Sequence, residues 1–177
     1  MTAVIFYGKS VDGAAESIKN ILCKNGGAIY CNKNRLSIKT GNERYLIVES
    51  DHSIELDAPS GIIIFLNKIS LHGPDIPNGF VAVTESSNHE ALELLSKSET
   101  KTITCGMAAA DTVTLSSVKE DSAVISLQRH IKTLTGKVLE PGDFPVKLFN
   151  KVAEYPLAAA AAVLLLSDFD ISLASEF

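Results

Sequence analysis

The segment Gly8-Lys9-Ser10-Val11-Asp12-Gly13-Ala14-Ala15 follows the apolar run Ala3-Val4-Ile5-Phe6-Tyr7 and precedes the helical pattern Glu16-Ser17-Ile18-Lys19-Asn20-Ile21-Leu22. Two glycines at this spacing, between a strand and a helix, give the frame of a phosphate-binding P-loop. Such a loop cradles phosphates on backbone N–H groups, reaches the β- and γ-phosphates with a lysine, and holds Mg²⁺ with a hydroxyl. Here the lysine and hydroxyl positions are Ala14 and Ala15, which supply neither charge nor metal ligand. The frame is present without its reactive groups. Gly8, Lys9 and Gly13 remain as candidate ligand-binding residues, with Lys9 able to meet an anion at the positive end of the helix dipole. The competing reading is a plain strand-to-helix turn in which Asp12 is the N-cap and closes the terminus to anions.

Asp51, His52, Glu55 and Asp57 form the densest cluster of metal-capable groups. They follow Ile47-Val48-Glu49, at the strand end where open α/β sheets bind ligands. Their spacing matches no metal-ligand pattern, so they read as a solvated acidic loop and no metal is expected. A Gly-x-Ser-x-Gly nucleophile elbow is absent from the sequence. Cys23, Cys31 and Cys105 make no C-x-x-C pair, which fits reduced, partly buried thiols in a cytoplasmic protein.

The elements that must position these residues follow from pattern. Continuous apolar runs at 3–7, 45–49 and 61–66 predict interior strands of a parallel sheet, covered on both faces. Further strands are expected at 28–31, 35–39, 80–83 and 101–105, with helices over 13–24, 88–96 and 155–166. Residues 111–118, 123–129 and 144–148 alternate β-branched and polar side chains, which predicts antiparallel strands, with a turn at 141–143. The fold class is therefore α/β: a mainly parallel P-loop or Rossmann-like sheet flanked by helices, with an antiparallel extension in the second half. At 177 residues the chain fits a single domain, 1–177, with 168–177 as a peripheral tail.

Composition excludes several partners. Aromatic residues are 6% of the chain, Trp is absent and the net charge is −5, which argues against nucleic acid. The most apolar run, 157–166, is about half a membrane span, and the N-terminal run is too short for a signal peptide. Neither a membrane nor a nucleic-acid partner is expected.

The order of elements is more specific than any one motif. A strand, glycine loop and helix come first, followed by strands ending in Glu49 and in Phe65-Leu66-Asn67. Next come Val81-Ala82-Val83-Thr84 with a helix, Thr102-Ile103-Thr104-Cys105-Gly106, an antiparallel stretch, and an alanine-rich helix. This order resembles the central ATP-binding domain of the Mur ligases, enzymes that join amino acids to carboxylates through an acyl phosphate. The resemblance covers roughly residues 3–166. It implies that Gly8 and Gly13 match the P-loop glycines and that Glu49 falls at a Mg²⁺-binding glutamate. Asn67 falls at a Thr-Asn motif whose Thr is replaced by Leu66. His72 lies where an Asp-His pair follows, and Ser87-Asn88-His89 stands where the family commonly has Asp-Asp-Pro. The N-terminal and C-terminal domains of the family are missing from this sequence.

These departures fall on chemistry while the hydrophobic strands survive. Without the lysine and the Mg²⁺ hydroxyl, the electrostatic clamp of phosphoryl transfer is lost. The resemblance thus implies a degenerate, stand-alone relative in a bacterial cytoplasm, without ligase activity and without a cofactor. It would bind an unknown protein or a small anionic ligand. The alternatives are a small enzyme with a metal or hydrolytic site rebuilt near Glu49, His52 and His72, or a Rossmann-like nucleotide binder.

Overall fold

The computed structural model describes residues 1–10, 13–32, 35–39, 44–52, 58–70, 73–171, 174 and 177. The elements run β1 (Thr2–Tyr7), α1 (Ala14–Gly26), β2 (Ala28–Asn32), β3 (Arg35–Lys39), β4 (Tyr45–Ser50), β5 (Gly61–Phe65), β6 (Phe80–Glu85) and α2 (His89–Ser96). They continue through β7 (Lys101–Gly106), β8 (Val113–Val118), β9 (Ser122–Leu127), β10 (Ile131–Lys132), β11 (Val138–Leu139), β12 (Gly142–Lys147) and α3 (Glu154–Leu166). A ten-stranded sheet has the order β12-β9-β8-β7-β6-β5-β1-β4-β2-β3, and β10 and β11 form a separate two-stranded ribbon. The strands from β2 through β8 in that order pair in parallel; β3, β9 and β12 join antiparallel. The sheet is mainly parallel with antiparallel strands at its edges, as the sequence pattern predicts.

Alternation along the central strands builds two cores. Val4 and Phe6 of β1 join Ile62 and Ile64 of β5 beneath α1 and α3. Ala3, Ile5 and Tyr7 join Ile63 and Phe65 beneath α2. A strand with no polar face is stable only when both sides are covered, and that places β1, β4 and β5 side by side in the interior of the sheet.

The helices differ in how they are held. In α1, Ala14, Ala15, Ile18, Ile21 and Leu22 form the buried stripe. By contrast, α3 is buried from Tyr155 through Leu166, so it has no solvent face to mark with polar residues. Its run Ala158-Ala159-Ala160-Ala161-Ala162 is fully buried, and small side chains let its backbone lie close to α1 and to the sheet. Among the described residues no helix is long and apolar enough to cross a membrane.

Two expectations need correction. Gly142 and Asp143 are not a turn but the first residues of β12, drawn into the ladder by pairing with Leu127 and Ser126 of β9. The segment 129–139 lies in the stretch expected to be antiparallel, and it forms the antiparallel ribbon β10–β11 apart from the main sheet. In the segment expected to be a peripheral tail, Ile171 and Phe177 are instead buried, 2% and 3% exposed within the α1–α3 core. The Phe177 N–H donates to the Lys147 carbonyl at 3.3 Å, and the Phe149 N–H donates to the Phe177 carbonyl at 3.1 Å. The physical reason is that the apolar side chains of Ile171 and Phe177 gain more from the flank of the core than from solvent.

Phe177→Ala is therefore expected to lower unfolding stability by about 3 kcal/mol, the usual cost of truncating a buried phenylalanine. Urea denaturation measures it. A loss below about 0.5 kcal/mol, typical of surface changes, would show that the tail packs loosely.

Candidate functional site

In an open α/β sheet the ligand crevice lies beyond the carboxyl ends of the strands, where successive connections leave for opposite faces. Here that point lies between β1 and β5. The chain leaves β1 toward α1 on one face, while the connection after β5 packs Ile69 and Ile76 into the core on the other. The crevice is spanned by backbone. Lys9 N–H donates to the Lys68 carbonyl at 2.7 Å, and Lys68 N–H donates to the Lys9 carbonyl at 3.2 Å. Leu66 N–H donates to the Tyr7 carbonyl at 2.9 Å just beneath them. On the other flank the Gly8 N–H donates to the Ser50 carbonyl at 2.9 Å.

The two loop glycines have different reasons. Gly8 has φ +101°, and a Cβ there would collide with the Lys68 carbonyl oxygen, so the close approach of the β5–β6 connection requires glycine. Gly13 has φ +77° and open space around its Cβ direction; it is the residue that enters α1. The cap hydrogen bond comes from Ser10, whose Oγ accepts from the Ala15 N–H at 3.3 Å. Asp12, the expected cap, lies outside the described residues. Ala14 and Ala15 are 1% and 7% exposed, packed into the core rather than turned toward the loop.

Charged groups gather beside the loop. The Lys9 ammonium lies 3.6 Å from the Asp51 carboxylate, and the His52 Nδ1 also meets Asp51. Asp51 thus brings two of the expected residues, Lys9 and His52, to a common partner. With the Lys9 side chain 71% exposed, this pair contributes at most about 1 kcal/mol. Burial raises the Tyr7 phenol above its ordinary value; a hydrogen bond with Ser70 works against that rise, and the Asp51 charge adds to it. Glu49 is half-buried in β4, in register with Phe6, and Asn67 is exposed just past β5. His72, Glu55 and Asp57 lie outside the described residues. Among the described residues no group of three His, Cys, Asp or Glu side chains converges to hold a metal.

Two arrangements escape sequence reasoning. Asn88 caps α2 by accepting from the Ala91 N–H at 3.1 Å, and its Nδ2 donates to the Leu66 carbonyl at 3.0 Å. It therefore ties α2 to the end of β5 and belongs to the scaffold of the crevice. Asp111 is 1% exposed and accepts from the Ser86 hydroxyl at 3.2 Å and from the Ala108 N–H at 3.0 Å. Its charge, with that of Glu85, adds to burial in pushing the Cys105 thiol far up, so this cysteine stays protonated and inert. An Asn immediately before the α2 helix pattern signals the first arrangement; nothing local signals the second.

The closed geometry has a direct mutational consequence. Gly8→Ala is expected to cost about 2 kcal/mol or more, because positive φ and a backbone collision act together. Gly13→Ala keeps only the left-handed penalty of about 1–2 kcal/mol. Urea denaturation of the two variants ranks them. Equal losses would mean that the Lys68 contact yields readily.

No protein-family model and no curated protein matches the sequence. Among solved structures the chain is similar to the UDP-N-acetylmuramoylalanyl-D-glutamyl-2,6-diaminopimelate–D-alanyl-D-alanyl ligase from Acinetobacter baumannii. The TM-score is 0.53 at 15% identity, with 94% of this chain and 43% of the ligase chain covered. The chain thus spans less than half the length of that enzyme. It has a Mur ligase-like fold.

Proposed function

We propose that this chain is a non-catalytic, Mur ligase-like domain that serves as a binding or interaction module, with a degenerate P-loop. The observation that carries this reading is the use of the loop's own donors. The N–H groups of Gly8, Lys9 and Ala15 are engaged by Ser50, Lys68 and Ser10. A P-loop must offer such groups to phosphate, and each one taken from an internal partner would leave a carbonyl or hydroxyl to be satisfied elsewhere. Ala14 and Ala15 add neither the cation nor the metal ligand that would offset that cost. Its partner, a protein or a small anionic ligand in a bacterial cytoplasm, is accordingly sought away from this loop.

Calorimetric titration with ATP, with and without Mg²⁺, tests the reading. Binding no tighter than about 1 mM is expected, an interaction of about 4 kcal/mol or less. A micromolar, Mg²⁺-dependent isotherm, or Mg²⁺-dependent ATP hydrolysis, would overturn it.

A further inference from the structure

Two adjoining clefts open at the end of the sheet opposite the β1 loop, where β6 and β7 begin. The smaller, about 190 Å³, lies between the start of β7 and the segment leading into β10. Lys101, Arg129, His130 and Lys132 line it, and among the described residues no acidic side chain does. The chain carries 21 acidic residues against 16 Lys and Arg, so a cleft that gathers Lys101, Arg129 and Lys132 without an acidic side chain runs against the composition. Like charges around one small space repel, and an anion seated among them relieves that repulsion. One of these cations is fixed in place: the Arg129 Nη2 donates to the Ala110 carbonyl at 2.8 Å. Thr102 and the nearly buried Thr112 add polar groups to the same lining.

The larger cleft, about 600 Å³, shares Lys101 and Lys132 with the smaller one. That volume is typical of small-molecule sites. Its lining is mixed. Ile76, Pro77 and Leu94 offer apolar surface, while Asp75 and Glu99 bring negative charge that the smaller cleft lacks. Charge therefore falls from positive to mixed along the joined clefts. An inorganic ion would use only the small end; a molecule with an anionic head and a larger body would use both.

We propose that these clefts bind a small organic oxyanion, a phosphate ester or a carboxylate. Its charged group sits among Lys101, Arg129 and Lys132, and its body lies in the larger cleft. The site is at the opposite edge from the closed loop and shares no residue with it, so its test stands apart from the ATP titration.

Inorganic phosphate and acetate are the probes, titrated at constant ionic strength against chloride while backbone amide resonances are followed. The expected result is a saturable shift of the Thr102, Thr112 and Lys132 amides with at least one of the two anions. Response to phosphate alone identifies the phosphate-ester class, and response to acetate alone identifies the carboxylate class. The double substitution Lys101→Gln with Lys132→Gln, at exposed positions, is expected to weaken the response about tenfold while leaving the spectrum dispersed. Lys119→Gln with Lys147→Gln changes net charge equally outside the clefts and is expected to leave the response intact. Equal weakening by both pairs, or no saturable shift with either anion in the wild-type protein, would overturn the proposal.

Discussion

Ile62 and Ile64 face one hydrophobic core and Ile63 and Phe65 the other, while Val4 and Phe6 are set against Ile5 and Tyr7 in the same way. Each of these side chains gains roughly 1.5–3 kcal/mol from burial, and the gain requires cover on both sides of the strand. Strands of this kind have no place at an edge. Their position in the centre forces α1 and α3 onto one face and α2 onto the other, and it brings the carboxyl ends of β1, β4 and β5 together. The half-polar strands β9 and β12 are then left for the periphery, where one face or one edge meets water.

The crevice that this arrangement creates is where the fold and its chemistry part. A backbone N–H directed at Lys68 or Ser50 is not available to a phosphate. Gly8, which in a phosphate loop permits close approach of a ligand, here permits close approach of the protein's own chain. One residue type serves two opposite ends, and the neighbour that fills the space decides between them. The ion pair of Lys9 with Asp51 works in the same direction by giving the exposed lysine an internal counter-charge.

The two-sided strands were legible because their signal is continuous: Gly61-Ile62-Ile63-Ile64-Phe65 fits little but a covered strand. The alanine-rich helix was legible for the same reason. What escaped depends on partners distant in the chain. Lys9 gives no sign that it will pair with Lys68, and Gly142-Asp143 looks like a turn until the register with β9 is known. Two-residue strands such as β10 and β11 are too short to carry a period. Of the expected site, Gly8, Lys9 and His52 fall in one neighbourhood, but the bonds that define its state are backbone bonds, which side-chain identity does not encode. The cationic cleft was hidden for a related reason: Lys101 and Arg129 belong to separate elements that meet only in the folded sheet.

At the β12 end of the sheet, the Lys147 carbonyl and the Phe149 N–H turn outward to meet Phe177. Backbone direction alternates along a strand, so Pro145, two residues before Lys147, also turns outward, and it has no N–H to offer. The outer side of β12 is thus capped at one end by the tail and blunted in the middle by an imino acid. An extended segment from another molecule finds no continuous row of donors and acceptors on which to add. This border resists the open-ended edge-to-edge growth that leads to fibres, and any protein that recognises this face must do so through side chains rather than by lengthening the sheet.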